Sequence, residues 1–166
     1  MDEIGHRAQL WDLIKDIHFG MFTTRHANGH LHARPMTTQN RAIDEDDSLW
    51  FFMSAGSDTV ADLLRDSQVN VAYADPDKQA YVSVAGQAQV VDDLQRKQAL
   101  WSKMNEVWFK GGPTDPDLAL VRVRIEHADY WDAPGNRLVR LYDMAMSALK
   151  GERPKDMGER GHVDMR

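Results

Sequence analysis

Arg34 stands directly before Pro35 in a run of strand-forming residues. A guanidinium can grip a phosphate through two parallel N–H···O bonds. A proline inside a strand removes a ladder donor and belongs on an edge or a bulge. That pairing marks a place where a ligand could meet the backbone. A second candidate is the turn Ser54-Ala55-Gly56-Ser57-Asp58-Thr59, which opens a short helix. A helix N-terminus presents unpaired N–H groups and a partial positive charge to an anion, and Ser57 and Thr59 add hydroxyls. On spacing alone, an ordinary N-cap by Ser57 or Asp58 outweighs the anion site, and the Asp58 carboxylate would repel a phosphate. On the same grounds Arg34 reads first as a surface arginine.

Three histidines, His26, His30 and His32, surround Asn28-Gly29, the strongest hairpin signal in the chain. A two-residue loop would pair Ala27 with His30 and Arg25 with His32. His30, His32 and Arg25 would then share a face. A cation beside two histidines, with no carboxylate to complete a shell, argues against a metal, and solvent-exposed histidines are the simpler reading. Tyr130-Trp131 ends the last long strand and could close over a planar ring, although a core plug would look the same in sequence. No Ser-His-Asp arrangement, phosphate-binding loop or dinucleotide fingerprint is present.

The elements that must position these residues follow from periodicity. Leu10, Leu13, Ile14 and Ile17 place one buried face on a helix over residues 4–17. Strands follow over 18–26, 30–39 and 48–53, with an acidic turn over 42–47. A short helix after Ser57 takes Val60, Ala61, Leu63 and Leu64 as its apolar stripe. Residues 69–73 form a fourth strand and 80–91 a fifth, in which Gly86 suggests a bulge. Asp92 and Asp93 favour a helix N-terminus, with Leu94, Trp101, Met104 and Trp108 lining that helix and its exit. Residues 118–126 alternate as a half-buried strand that runs on through Trp131. Asn136 caps a final helix bearing Leu138, Leu141, Tyr142, Ala145 and Leu149, which Gly151 and Pro154 end. Residues 152–166 are charged, carry no periodicity and read as a mobile tail. Six strands, mostly in meander order, with helices after the third and fifth, predict a mainly β fold: an antiparallel sheet closing into a small barrel with helices outside.

The chain has 166 residues and a formal net charge of −6. That length favours a single domain over 1–151 followed by the tail. Without cysteine there is no disulfide framework, thiolate metal site or cysteine nucleophile. The acidic balance argues against nucleic acid or an anionic membrane as partner. No apolar run approaches the ~20 residues of a membrane span, and the N-terminus is unlike a signal peptide. A cytoplasmic protein is the default expectation.

Gly20-Met21-Phe22-Thr23-Thr24, Ala33-Arg34-Pro35-Met36, Leu49-Trp50-Phe51-Phe52, Ser57, and Val82-Ser83-Val84-Ala85-Gly86-Gln87-Ala88 come in a recognisable order. Trp108-Phe109 with Gly112, then Asp115-Pro116-Asp117-Leu118, and Ala128-Asp129-Tyr130-Trp131-Asp132 complete it. Together they resemble the pyridoxamine 5′-phosphate oxidase-like split barrels, in particular their general stress protein branch. The resemblance implies a six-stranded split β-barrel and a homodimer holding FMN, with FAD as an alternative, in clefts between subunits. It implies that Arg34, Pro35, Met36 and Thr37 lie along the flavin. Phe52 and Met53 would line it, Ser57 and Thr59 would meet its phosphate, and Tyr81 and Trp131 would contact its ring. It further implies a flavin-dependent oxidoreductase with a small-molecule redox partner. The alternatives are a flavin store or sensor, or a split barrel using a deazaflavin or haem. One departure stands out: oxidase relatives carry a basic residue two places after this serine, where this chain has Thr59. That implies weaker phosphate binding or a different ligand, and argues against true pyridoxamine-phosphate oxidation. No catalytic acid or base follows from the sequence.

Overall fold

The computed structural model describes residues 3–41, 47–132, 146, 149–151 and 159–165. Helix α1 (Glu3–Ile14) buries Leu10 and Ile14 completely and leans Trp11, Leu13 and Ile17 on the same core. Strand β1 (Phe19–Arg25) alternates, with Gly20, Phe22 and Thr24 turned inward. It returns as β2 (Leu31–Thr37). The hairpin forms as expected, but its loop has three residues, not two. His26 N donates to His30 O and Gly29 N to His26 O. A type I′ turn requires positive φ at both central residues, and here Asn28 does not adopt it; Gly29 alone does (φ 85°). The register therefore slips by one residue, which moves every side chain of β2 to the other face. Thr24 pairs with His32, Phe22 with Arg34 and Arg25 with Leu31. His32, Arg34 and Met36 share the inner face, and Arg25 does not.

Strand β3 (Ser48–Ser54) is buried on both faces up to Met53, as its unbroken apolar run requires. Leu49, Phe51 and Met53 enter the main core. Trp50 and Phe52 enter a second core with Leu100, Phe109, Leu118 and Leu120. Helix α2 (Asp58–Arg65) is followed by β4 (Gln68–Asp75), β5 (Ala80–Val91), α3 (Leu94–Leu100), two 3-10 turns and β6 (Leu118–Asp132). The bulge expected at Gly86 is present: the β5–β6 register shifts there, and a Cβ would lie 2.3 Å from the Arg124 carbonyl oxygen.

The meander order expected holds for β1–β2 and for β4–β5–β6 and is broken at β1–β4 and β3–β6. The strand order is β2-β1-β4-β5-β6-β3, so β2 and β3, neighbours in sequence, stand at opposite ends of the antiparallel sheet. The sheet curls until those ends meet. Gln39 N donates to Trp50 O (2.8 Å), and the Asn40 amide bonds both Trp50 N and Ser48 O.

Three expectations about the elements are corrected. Of the α2 stripe, Val60 and Leu63 are buried, but Ala61 and Leu64 face solvent and Asp62 takes the inward position. On α3 and its exit, Leu100 is the anchor; Leu94, Met104 and Trp108 are exposed, and Trp101 alone packs, against Phe52. The stretch expected to be a mobile tail contains a seventh strand, β7 (Glu159–Asp164), antiparallel to β6, with Val163 buried in the main core. Met146, Leu149 and Lys150 are helical and Gly151 follows with φ 66°. The rest of that expected helix lies outside the described residues.

Candidate functional site

The inner face of the β1–β2 hairpin gathers Thr24, His26, His32 and Arg34, and α2 sets Asp62 against them. Thr24 Oγ1 donates to Asp62 Oδ2 (2.8 Å), and His26 Nδ1 lies 2.6 Å from the same oxygen. Arg65 Nη2 is 3.2 Å from Asp62 Oδ1. Arg34 Nη1 donates to Thr24 Oγ1 (2.6 Å) and to the His32 carbonyl (2.8 Å). Its Nη2 lies 3.6 Å from Asp62 Oδ2 and 2.9 Å from His32 Nδ1. A guanidinium only donates, so His32 Nδ1 is the acceptor. Burial pushes the Asp62 carboxyl up, but the hydrogen bonds from His26, Thr24 and Arg65, with the charge of His26, outweigh it and bring it down to about 2. Arg34 is thus the centre of an internal network and not a surface arginine. Sequence reasoning missed Asp62, because α2 was read by its apolar residues alone.

The turn into α2 has the local form of an ordinary cap. Ser57 is the N-cap and accepts from Val60 N (3.3 Å). Thr59 is buried one position into the helix and Asp58 is exposed. Asp117, just before β6, closes on the turn from outside. It accepts from Ser54 Oγ (2.6 Å) and Gly56 N (3.4 Å), while its carbonyl takes Ala55 N (2.7 Å).

The remaining candidates lie elsewhere. Pro35 and Thr37 pair with Met21 and Phe19 on the outer face, the opposite side from Arg34 and Met36. Pro35 sits on a strand that is an end of the sheet, as a strand proline should. Phe52 and Met53 point into different cores. Tyr81 and Trp131 are direct cross-strand partners on the outer face, both substantially exposed, with the Arg160 guanidinium 5.5 Å above the Trp131 ring. Tyr130 is the core plug of the pair, fully buried and bonded through its hydroxyl to His6 Nδ1. Tyr81 and Trp131 stand at the end of the sheet where β1 begins; α2 packs where β1 ends. One chain therefore brings Arg34 to α2 and Tyr81 to Trp131, but it does not gather all ten candidates into one cleft.

The outer face carries exposed apolar residues beside the exposed polar Arg25, Gln68, Arg160 and His162. Phe19, Met21, Leu31, Tyr81 and Trp131 all contribute open surface. Among the described residues no group of His, Cys, Asp or Glu has the geometry of a metal site. None of their helices is long and apolar enough to cross a membrane.

Comparison with known proteins places this geometry among relatives. The family described as "Pyridoxamine 5′-phosphate oxidase like" matches residues 5–155. "Protein bli-3" of Neurospora crassa is 27% identical over 146 residues, covering 81% of this chain and 68% of that protein. A structure from Jannaschia sp. CCS1, named as a general stress protein 26, superposes with a TM-score of 0.75 at 25% identity, covering 99% of this chain and all of that one. The general stress FMN/FAD binding protein from Xanthomonas citri superposes with a TM-score of 0.66 at 28% identity, covering 78% of this chain and 90% of that one. The curled antiparallel sheet is the split-barrel fold of these neighbours.

Proposed function

The chain belongs to the pyridoxamine 5′-phosphate oxidase-like family, and from that premise we propose that it is a cytoplasmic, flavin-binding protein of the general stress type. In this reading two copies of the chain enclose the isoalloxazine ring between them. The observation that carries it is the family match over nearly the whole chain, together with the likeness to a protein named as FMN/FAD binding. The outer face supports it. Pro35, Thr37, Tyr81 and Trp131 lie on that face, and the aromatic pair Tyr81 and Trp131 is exposed on the side where a second wall would stand. Flavin rings are held by such surfaces with a few polar contacts. FMN is the form the resemblance implies, with FAD the alternative.

A bound flavin would supply the electron-transfer chemistry, and this chain's residues would bind and orient the ring. A small-molecule oxidoreductase is the activity that fits. The test is the absorption spectrum of the purified protein, recorded alone and after addition of flavin. Perturbed flavin bands in the visible are expected, and their bleaching by NAD(P)H identifies an enzyme. A Soret band would replace this reading with a haem-binding one. A protein that leaves the spectrum of added flavin unchanged would remove it.

A further inference from the structure

Among the described residues, two groups of donors that could meet a phosphate, the Arg34 cluster and the Ser54–Gly56 turn, already face the chain's own carboxylates. Arg34, His26, Thr24 and Arg65 converge on Asp62. The turn before α2 gives its Ser54 hydroxyl and Gly56 N–H to Asp117. Asp58 adds a third carboxylate in the first turn of the helix. Thr59, in the same turn, brings a hydroxyl without charge. An incoming dianion would have to displace Asp62 from the Arg34 cluster or Asp117 from the turn, and then sit beside that carboxylate as a like charge.

We infer that this chain discriminates against a terminal phosphate, and takes a flavin lacking a phosphate monoester at least as readily as FMN. The inference rests on the proposed flavin site and specifies its ligand. Like-charge juxtaposition is a recognised way to exclude a competing ligand. It acts here without weakening the ring face, because Tyr81 and Trp131 stand at the other end of the sheet. The helix N-terminus offers a favourable partial charge of only about half a unit. Asp62 is already matched by Arg34 and Arg65, and the two further carboxylates, Asp58 and Asp117, exceed that half unit. Asp62 keeps its charge well below neutrality, since its carboxyl is held at about 2.

The test is a fluorescence titration of the full chain with riboflavin and with FMN, at low and at high salt. The wild-type protein should bind FMN no more tightly than riboflavin, and FMN binding should strengthen as salt screens the repulsion. Asp117→Asn should tighten FMN by about threefold or more while leaving riboflavin unchanged. Asp62→Asn should act in the same direction. Asp117 lies at the surface, so its variant reports even if Asp62→Asn fails to fold. FMN binding about tenfold tighter than riboflavin in the wild type, and weakening with salt, would overturn the inference. If neither flavin binds, the flavin reading falls and inorganic phosphate decides the inference separately. Phosphate at matched ionic strength should leave the wild-type melting temperature unmoved and raise that of Asp117→Asn. A rise in the wild type would overturn it.

Discussion

At Asp62 a single carboxylate ties a hairpin to a helix, and its protonation should be visible in stability. Its folded-state carboxyl lies at about 2 against an ordinary 3.8. A lowered carboxyl contributes stability that is fully present above the ordinary value and is lost as pH falls through the folded one. Unfolding by urea should therefore show stability falling from about pH 4 to about pH 2, and Asp62→Asn should flatten that slope. At neutral pH the same substitution should cost roughly 1–3 kcal/mol, because Thr24, His26 and Arg34 lose a shared acceptor. An unchanged acid slope in the variant would mean that other carboxylates carry it. This network was hard to read from sequence for a specific reason. His32 and Arg34 share a face with His26 only in the three-residue-loop register, and a two-residue loop puts His26 on the opposite face. In the true register, that many basic groups on an inward face call for an anion. Asp62, three residues after the inward Thr59, is the one α2 supplies.

Among the elements, what could be read tracked how strongly each segment repeats. β5 has the bounds expected, with its bulge at Gly86, because residues 80–89 alternate over five repeats of the pleat. Asn28-Gly29 announced the pairing of β2 with β1, but the place of β3 was not legible: it pairs with β6, and nothing in the strand names that neighbour. β7 was missed because its inward positions are Gly161 and Val163, while Arg160, His162 and Asp164 face out. One small residue and one valine give too weak an apolar signal to separate a short strand from a charged tail. The glycine is nevertheless what allows docking. A Cβ at position 161 would fall 2.1 Å from the Tyr130 ring, and Tyr130 is fully buried. Gly161→Ala should therefore destabilise the protein by about 1–3 kcal/mol through overpacking. A lowered urea midpoint should be accompanied by faster amide exchange along residues 127–132, which β7 covers. Wild-type exchange rates there in the variant would show that β7 contributes nothing to the fold's stability.

For the molecule as a whole, the unresolved demand is the outer face. The exposed Phe19 and Met21 of β1, Leu31 of β2, and Tyr81 and Trp131 of β5 and β6 lie on the solvent side of one sheet. Large apolar side chains left exposed together, as Phe19, Tyr81 and Trp131 are at one end of the sheet, mark an interaction site more often than open solvent. A second copy of the chain is the partner the family reading supplies, and two-fold pairing uses one patch on both subunits. A stable pair needs roughly 800 Å² buried on each side. Met21 stands in the row that links Pro35 on β2 with Ala72 on β4, so it would fall within such a contact. Sedimentation of the wild-type chain should give a dimer. Met21→Lys should weaken it by about tenfold or more, since an ammonium would have to be buried without a partner. Its side chain is exposed in the single chain, so the fold should survive and the far-ultraviolet circular dichroism should not change. Flavin affinity should fall together with the dimer if the ring lies between subunits. A monomeric wild-type chain with full flavin affinity would place the ring within one subunit, and the pairing of Tyr81 with Trp131 would then be the surface on which to look for it.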